Sequence, residues 1–232
     1  MFAIRRSQDR GYFNHGWLKS HHSFSFGDYQ DQKNMNYGVL RVINQDTIDQ
    51  KTGFGTHPHR NMEIVTWMIS GQLTHQDSLG NQMKLAAGEV QRITAGLGIT
   101  HSEMNISASD PVELLQIWVE PHTQGLAPSY EQKAFSSEGR QSKLQLIVGP
   151  ESVKGSLTWH QNAFLYASIL GEDDVLEHHF KPNRTGYIHV ISGSIIADGH
   201  LLRAGDGAKI AHLKKVSMGT PQRGEFLLFD LP

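Results

Sequence analysis

Between Gly53 and Asn105 the chain twice sets two metal-binding side chains two residues apart, and nothing else in it limits the fold as tightly. The first pair lies in Gly55-Thr56-His57-Pro58-His59-Arg60-Asn61-Met62-Glu63 and the second in Gly98-Ile99-Thr100-His101-Ser102-Glu103. On a β-strand, side chains at i and i+2 leave the same face. His57 with His59, and His101 with Glu103, therefore each form a converging pair if both segments are extended. Two such pairs on facing strands make a four-ligand pocket.

The residues between the pairs read as short strands. Glu63 to Ile69 is a β-rich run that stops at Ser70-Gly71, and Gln72 to His75 begins the return. Asp77-Ser78-Leu79-Gly80-Asn81 has the composition of a hairpin tip. Ala87-Gly88-Glu89 makes a further turn before Val90 to Ile93, and Leu114 to Val119 supplies a closing strand. Gly96 and Gly98 read as turn glycines ahead of His101 rather than substrate contacts. Upstream, Phe24 and Phe26 alternate with serines, which suits a half-buried strand, and Val39 to Ile43 reads as another. His15, His21 and His22 are read as core or surface hydrogen-bonding residues, not ligands.

Composition narrows the class. The 23 glycines among 232 residues, with 38% hydrophobic and 19% charged, fit a globular chain rich in tight turns and lean towards all-β. Cysteine is absent, so a metal must be held by His and carboxylate, and thiolate catalysis is excluded. A formal charge of −2 and a pI near 6.7 give no basic field for nucleic acid or an anionic membrane. Lys214-Lys215 is too short a basic run to change that and reads as a solvated turn. Met1-Phe2-Ala3-Ile4-Arg5-Arg6 meets charge before any apolar run of signal-peptide length, and no later segment reaches a membrane span. A cytoplasmic location is expected, with no membrane partner and no direct nucleic-acid binding.

Between Pro121 and Ser142 the chain turns polar and reads as a connection, with room for one ordered strand at Tyr130 to Phe135. The expected division is 1–130, a metal-binding domain, and 131–232, a degenerate domain without metal. The second half echoes the first. Met68-Ile69-Ser70-Gly71 returns as Val190-Ile191-Ser192-Gly193, Gly88-Glu89 as Gly205-Asp206, and Glu113 to Val119 as Glu225 to Leu231. With the glycine after the first strand as anchor, His57 aligns with His179, His59 with Lys181, His101 with Met218 and Glu103 with Thr220. A lone His beside a cationic Lys cannot hold a divalent ion, so this copy is expected to be structural, with His178-His179 a surface pair.

A His-x-His with a distant His, set in glycine-punctuated strands, resembles the cupin superfamily of small β-barrels. Asn14-His15-Gly16-Trp17-Leu18, Ser23-Phe24-Ser25-Phe26, Leu40-Arg41-Val42-Ile43-Asn44, Gly53 to Arg60 and Thr94 to Glu103 together resemble the pirin family. The resemblance implies an all-β bicupin, two tandem barrels face to face, with one metal in the first. Its ligands fall on His57, His59, His101 and Glu103, the set already read from strand geometry. Bacterial members similar to this chain act as flavonol 2,4-dioxygenases of the quercetinase type, and animal members resemble transcriptional co-regulators. Two departures are Asn61, where the family commonly has Asp, and Gln32, where Pro is usual. Asn61 is expected to alter a hydrogen bond or charge behind the ligands.

Three imidazoles and a carboxylate accept Fe, Mn, Co, Ni, Cu or Zn, and donor type does not choose among them. The resemblance favours Fe2+. Four protein ligands on a six-coordinate ion leave two positions for water, a chelating substrate or O2, unlike a closed structural zinc site. The expected substrates are a flat polyphenol and O2, with Glu103 as general base at a flavonol 3-hydroxyl and ring cleavage releasing carbon monoxide. Phe54, Trp67 and Met68 are candidates to line the pocket and equally ordinary core residues. The competing reading is a non-enzymatic, iron-dependent regulatory protein that works through a protein partner. Internal duplication supplies the barrel pairing that single-domain cupins reach by dimerising, so a monomer is favoured.

Overall fold

The computed structural model describes residues 1–150 and 153–232. β1 (Phe2–Arg5) opens the chain, followed by β2 (Gly11–Asn14), β3 (Leu18–His22), β4 (Leu40–Ile48), β5 (Thr52–His59) and β6 (Glu63–Ser70). Next come β7 (Gln72–Asp77), β8 (Gln82–Ala86), β9 (Glu89–Thr94), β10 (Ile99–Asn105), β11 (Val112–Val119) and β12 (Ser129–Ala134). After the helical turn α1 (Ser137–Arg140) run β13 (Gln145–Gly149), β14 (Leu157–Thr158), β15 (Phe164–Leu170), β16 (Val175–His179) and β17 (Thr185–Ala197). β18 (His200–Arg203), β19 (Gly207–Ile210), β20 (Lys215–Gly219) and β21 (Gly224–Leu231) complete the chain. The all-β expectation holds, and the strands form two cupin-type units.

The units exchange segments rather than dividing the chain into contiguous halves. One comprises Gly11–Ala134 with Leu157–Gln161, the other Met1–Arg10, Phe135–Ser156 and Asn162–Pro232. β1 pairs with β19 and so belongs to the second unit. The strand expected within the polar connection exists as β12, and it pairs with β9. Arg92 clasps Glu131 at 2.7 Å across that pair, and the first unit therefore runs to Ala134 instead of ending at 130. A pairing between residues some 200 positions apart leaves no mark in local patterning.

In the first unit, one sheet runs β12-β9-β6-β11-β4-β3-β2 and the other β5-β10-β7-β8. Alternation sets the faces: along β11, Leu114, Gln116 and Trp118 share one side and Leu115, Ile117 and Val119 the other. Met68, Leu73, Leu85 and Leu114 pack in one apolar cluster, and Ile64, Ile93 and Ile99 in another. Ser23 to Phe26 is not the expected strand. β3 ends at His22, the Asp31 N–H donates to Ser25 Oγ at 2.8 Å, and Phe24 is buried in the resulting bend. A serine hydroxyl gives the backbone an alternative to ladder bonding.

The second unit repeats this frame. Its main sheet runs β1-β19-β17-β21-β15-β13, so β19-β17-β21-β15 corresponds to β9-β6-β11-β4. Gly71 and Gly193 take left-handed φ of 77° and 67°, and a Cβ at either would meet a carbonyl oxygen, of Pro111 at 2.8 Å or of Arg223 at 2.1 Å. Glu89 accepts from the Ala86 N–H at 2.6 Å, as Asp206 does from the Arg203 N–H at 3.1 Å. Strand register corrects the sequence alignment of the ligand positions. Glu103 lies opposite His75 and Phe54, while Met218 lies opposite Ala197 and Leu176. His101 lies opposite His57, while Val216 lies opposite His178. The counterparts of His57, His59, His101 and Glu103 are thus His178, Phe180, Val216 and Met218, because turns of unequal length shift the copies by one or two residues. His178 is not a surface residue either: its Nε2 meets Asp230 at 2.8 Å, and only His179 is exposed.

Candidate metal centre

β5 and β10 pair antiparallel in the first unit, which puts His57 beside His101 and His59 beside Ile99. The expected convergence follows, on neighbouring strands of one sheet. The ring centroids of His57, His59 and His101 are 4.4–4.8 Å apart, and one nitrogen from each ring lies within 4.8 Å of the other two. A Gly55 carbonyl 2.7 Å from His57 Nδ1 can only accept, so Nδ1 carries a hydrogen and Nε2 is the nitrogen available to a metal. Burial, with the neighbouring imidazoles, pushes His59 down to about 4 and His101 down to about 3. Both rings are neutral at pH 7, as metal ligands must be.

Glu103 stands next to this trio, within 4.8 Å of ligand atoms on His101 and His75. Its Oε1 accepts from Gln91 Nε2 at 2.8 Å and from Thr66 Oγ1 at 3.4 Å, and its Oε2 from Gln116 Nε2 at 3.1 Å. Burial raises its pKa, against the pull of the His75 and His57 imidazoles and of the Gln91 hydrogen bond. Thr66, Gln91 and Gln116 form one row across β9, β6 and β11. Sequence reading passed over them; their signal is a polar residue at an inward position of an apolar strand. It also passed over His75, which is fully buried and bonded through Nε2 to Asp77 at 2.9 Å.

Glu63, four residues after His59, does not join the cluster. Its carboxylate bonds His160 Nδ1 at 3.0 Å and Thr94 Oγ1 at 2.8 Å, tying β6 to the Leu157–Gln161 segment. Asn61 also turns away. It adopts a left-handed φ of 49°, and its Oδ1 accepts from the Gly125 N–H at 2.8 Å. Its expected influence behind the ligands therefore has no hydrogen-bonded route. Gly96, at φ 45°, is the turn glycine expected: a Cβ there would lie 1.9 Å from the Leu126 oxygen.

A cavity of about 350 Å3 opens over His57, His59 and Glu103. Phe13, Leu18, Phe26, Phe54 and Trp118 give it apolar walls. Phe54 is thus a lining residue, whereas Trp67 and Met68 are core. His15 and His22 line the cavity too, while His21 packs on Tyr12 at 4.7 Å. Neither ring nitrogen of His101 has a hydrogen-bond partner among the described residues, and both are buried. Such a group costs roughly 1–3 kcal/mol. A cation accepting its lone pair removes that cost, so these side chains fit a metal.

Two cupin-type units, one with clustered imidazoles under an apolar cavity and the other with Phe180, Val216 and Met218 at three of the four matching positions, define a bicupin with a single candidate metal centre among the described residues. The pirin family profile matches residues 3–119, and a profile described as the quercetinase C-terminal cupin domain matches residues 146–231. The chain belongs to the pirin family. It is 41% identical to the quercetin 2,3-dioxygenase of Escherichia coli strain K12 over 233 aligned positions, covering 100% of this chain and 99% of that one. It is 38% identical to a pirin-like protein of Caulobacter vibrioides, covering 94% of each. The crystal structure of the bacterial pirin YhhW of Escherichia coli in complex with nickel(II) superposes with a TM-score of 0.96 at 41% identity, covering 100% of this chain and 99% of that one.

Proposed function

We propose that this protein is a metal-dependent dioxygenase that opens the heterocycle of flavonols such as quercetin with O2 and releases carbon monoxide. His57, His59, His101 and Glu103 would hold one Fe2+. The observation that carries the reading is the convergence of three imidazoles beside a buried carboxylate beneath an apolar cavity. A full-length relative named quercetin 2,3-dioxygenase and a relative crystallised with nickel(II) support it. When bound, the metal supplies Lewis-acid and template chemistry.

The chain's own residues do the rest. Phe54 and Trp118 exclude water and pack a flat ring system. Glu103, raised by burial, takes the proton of the flavonol 3-hydroxyl, and Gln91 and Gln116 hold its carboxylate in place meanwhile. The test is O2-dependent loss of quercetin absorbance with carbon monoxide detection, on iron-loaded protein and on a His59→Ala variant shown to lack metal. Turnover is expected from the loaded parent alone. Glu103→Gln is expected to keep much of the metal and lose turnover; full activity in that variant rejects the base assignment. Absence of turnover with iron and with other first-row metals rejects the dioxygenase reading in favour of a metal-dependent binding protein.

A further inference from the structure

The cavity has a second polar wall that the metal centre does not use. Asn44 and Asp46 share one face of β4, and Ser20 lies directly opposite Asp46 on β3. All three line the cavity and are only 2–4% exposed. They belong to the sheet that does not carry the imidazoles. Ser20 Oγ donates to Asp46 Oδ1, and Asp46 Oδ2 has no hydrogen-bond partner among the described residues. The Asn44 Oδ1 is buried and has no hydrogen-bond partner among the described residues.

Phe13, Leu18 and Phe26 line the same cavity. An amide and a carboxyl left incompletely bonded in such a wall are costly unless water or a ligand completes them. Unlike an aliphatic or purely cationic group, a phenolic hydroxyl can donate to Asp46 Oδ2 and accept in turn.

We propose that Asp46, with Ser20 and Asn44, is a specificity-determining subsite for a phenolic hydroxyl of the substrate other than the one presented to Glu103. This rests on the flavonol reading above and deepens it: the favoured substrate is a polyhydroxylated ring system spanning both sheets of the barrel. Burial raises the Asp46 carboxyl to about 7, with the Ser20 bond opposing and the Glu103 charge adding, so near neutrality it can donate as well as accept.

The test compares quercetin with 3-hydroxyflavone, which keeps the 3-hydroxyl and lacks the others, in steady-state kinetics of the iron-loaded protein. The parent is expected to prefer quercetin about tenfold or more in kcat/KM, the worth of one good hydrogen bond. Asp46→Leu is expected to bring that preference to about one, with the loss falling on quercetin KM rather than on kcat. Asp46→Asn, which still donates and accepts, is expected to retain most of it. Thermal melting and metal content establish that each variant folds; should Asp46→Leu not fold, Asn44→Leu carries the same expectation. A preference that survives the leucine variants overturns the subsite alone. Turnover of neither compound by the parent overturns the flavonol reading and the subsite together.

Discussion

The two barrels share a frame and differ in what fills it. Each has the same run of four paired strands, a left-handed glycine at the same turn, and an acidic side chain closing a later turn onto the backbone three residues before it. Where the first has His57, His59, His101 and Glu103, the second has His178, Phe180, Val216 and Met218. Phe180, Val216 and Met218 belong to its apolar core, and His178 is spent on Asp230. The frame therefore does not depend on those four side chains, and the imidazole cluster is a site set into it. The difference has an energetic side. At this position the first barrel carries an unpaired buried ring, His101, where the second has a valine of similar bulk; the second buries an unpaired ring elsewhere, at His189.

The first barrel can be given the second's residue. His101→Val is expected to abolish metal binding, read by elemental analysis, and with it turnover. It is also expected to make the metal-free protein more stable than its metal-free parent by about 1–3 kcal/mol, because two unpaired ring nitrogens leave the interior. A variant that binds metal, or is less stable than the metal-free parent in urea unfolding, means that His101 is not a tolerated cost. The reverse exchange, Val216→His, is expected to destabilise by about 3 kcal/mol through a buried polar ring with no ligand to share. It is not expected to recreate the imidazole site, since Phe180 offers no ligand, Met218 only a thioether, and His178 is held by Asp230.

How much of this could be read beforehand follows from the range of each interaction. The i, i+2 pairs His57/His59 and His101/Glu103 are local, and strand periodicity alone placed them. The repeat was legible too, because Gly71 and Gly193 are fixed by backbone conformation. Its register was not: a length change in a turn costs little and leaves no periodic trace, so an alignment anchored at those glycines drifts to His179 and Lys181. The supports of Glu103 come from three strands, at Thr66, Gln91 and Gln116. That row exists only once the strand order β9-β6-β11 is known.

His189 lies on β17 in the second unit, fully buried, and burial together with the Arg10 charge pushes it down to about 3. A histidine in the unfolded chain titrates near 6.5, so below that pH the unfolded state binds a proton that the folded state refuses. Its contribution is complete above pH 6.5 and lost as pH falls towards 3. Between pH 6.5 and 5 the loss is about 2 kcal/mol. His189→Leu is expected to remove that share of the acid slope, seen as a smaller fall in urea midpoint from pH 7 to pH 5. An unchanged slope means that the second barrel's interior adds nothing to acid sensitivity, leaving it to the first barrel's His59 and His101.

The smallest effect is expected at Asn61, where the barrels agree. Counting back from Gly71 and Gly193, Asn61 corresponds to Asn183, and both are left-handed, at φ 49° and 66°, just before β6 and β17. A residue kept in the barrel without the imidazole cluster, in the same conformation, is there for the turn, since Asn adopts this region more readily than other residues with a Cβ. Asn61→Asp keeps both the turn preference and an oxygen to accept the Gly125 N–H. Stability is therefore expected to change by less than about 0.5 kcal/mol, and metal affinity and the reduction potential of the iron-loaded protein to stay at the parent values. A shifted potential with unchanged stability means that the charge at position 61 acts on the metal through space, and that the side chain belongs to the site as well as to the turn.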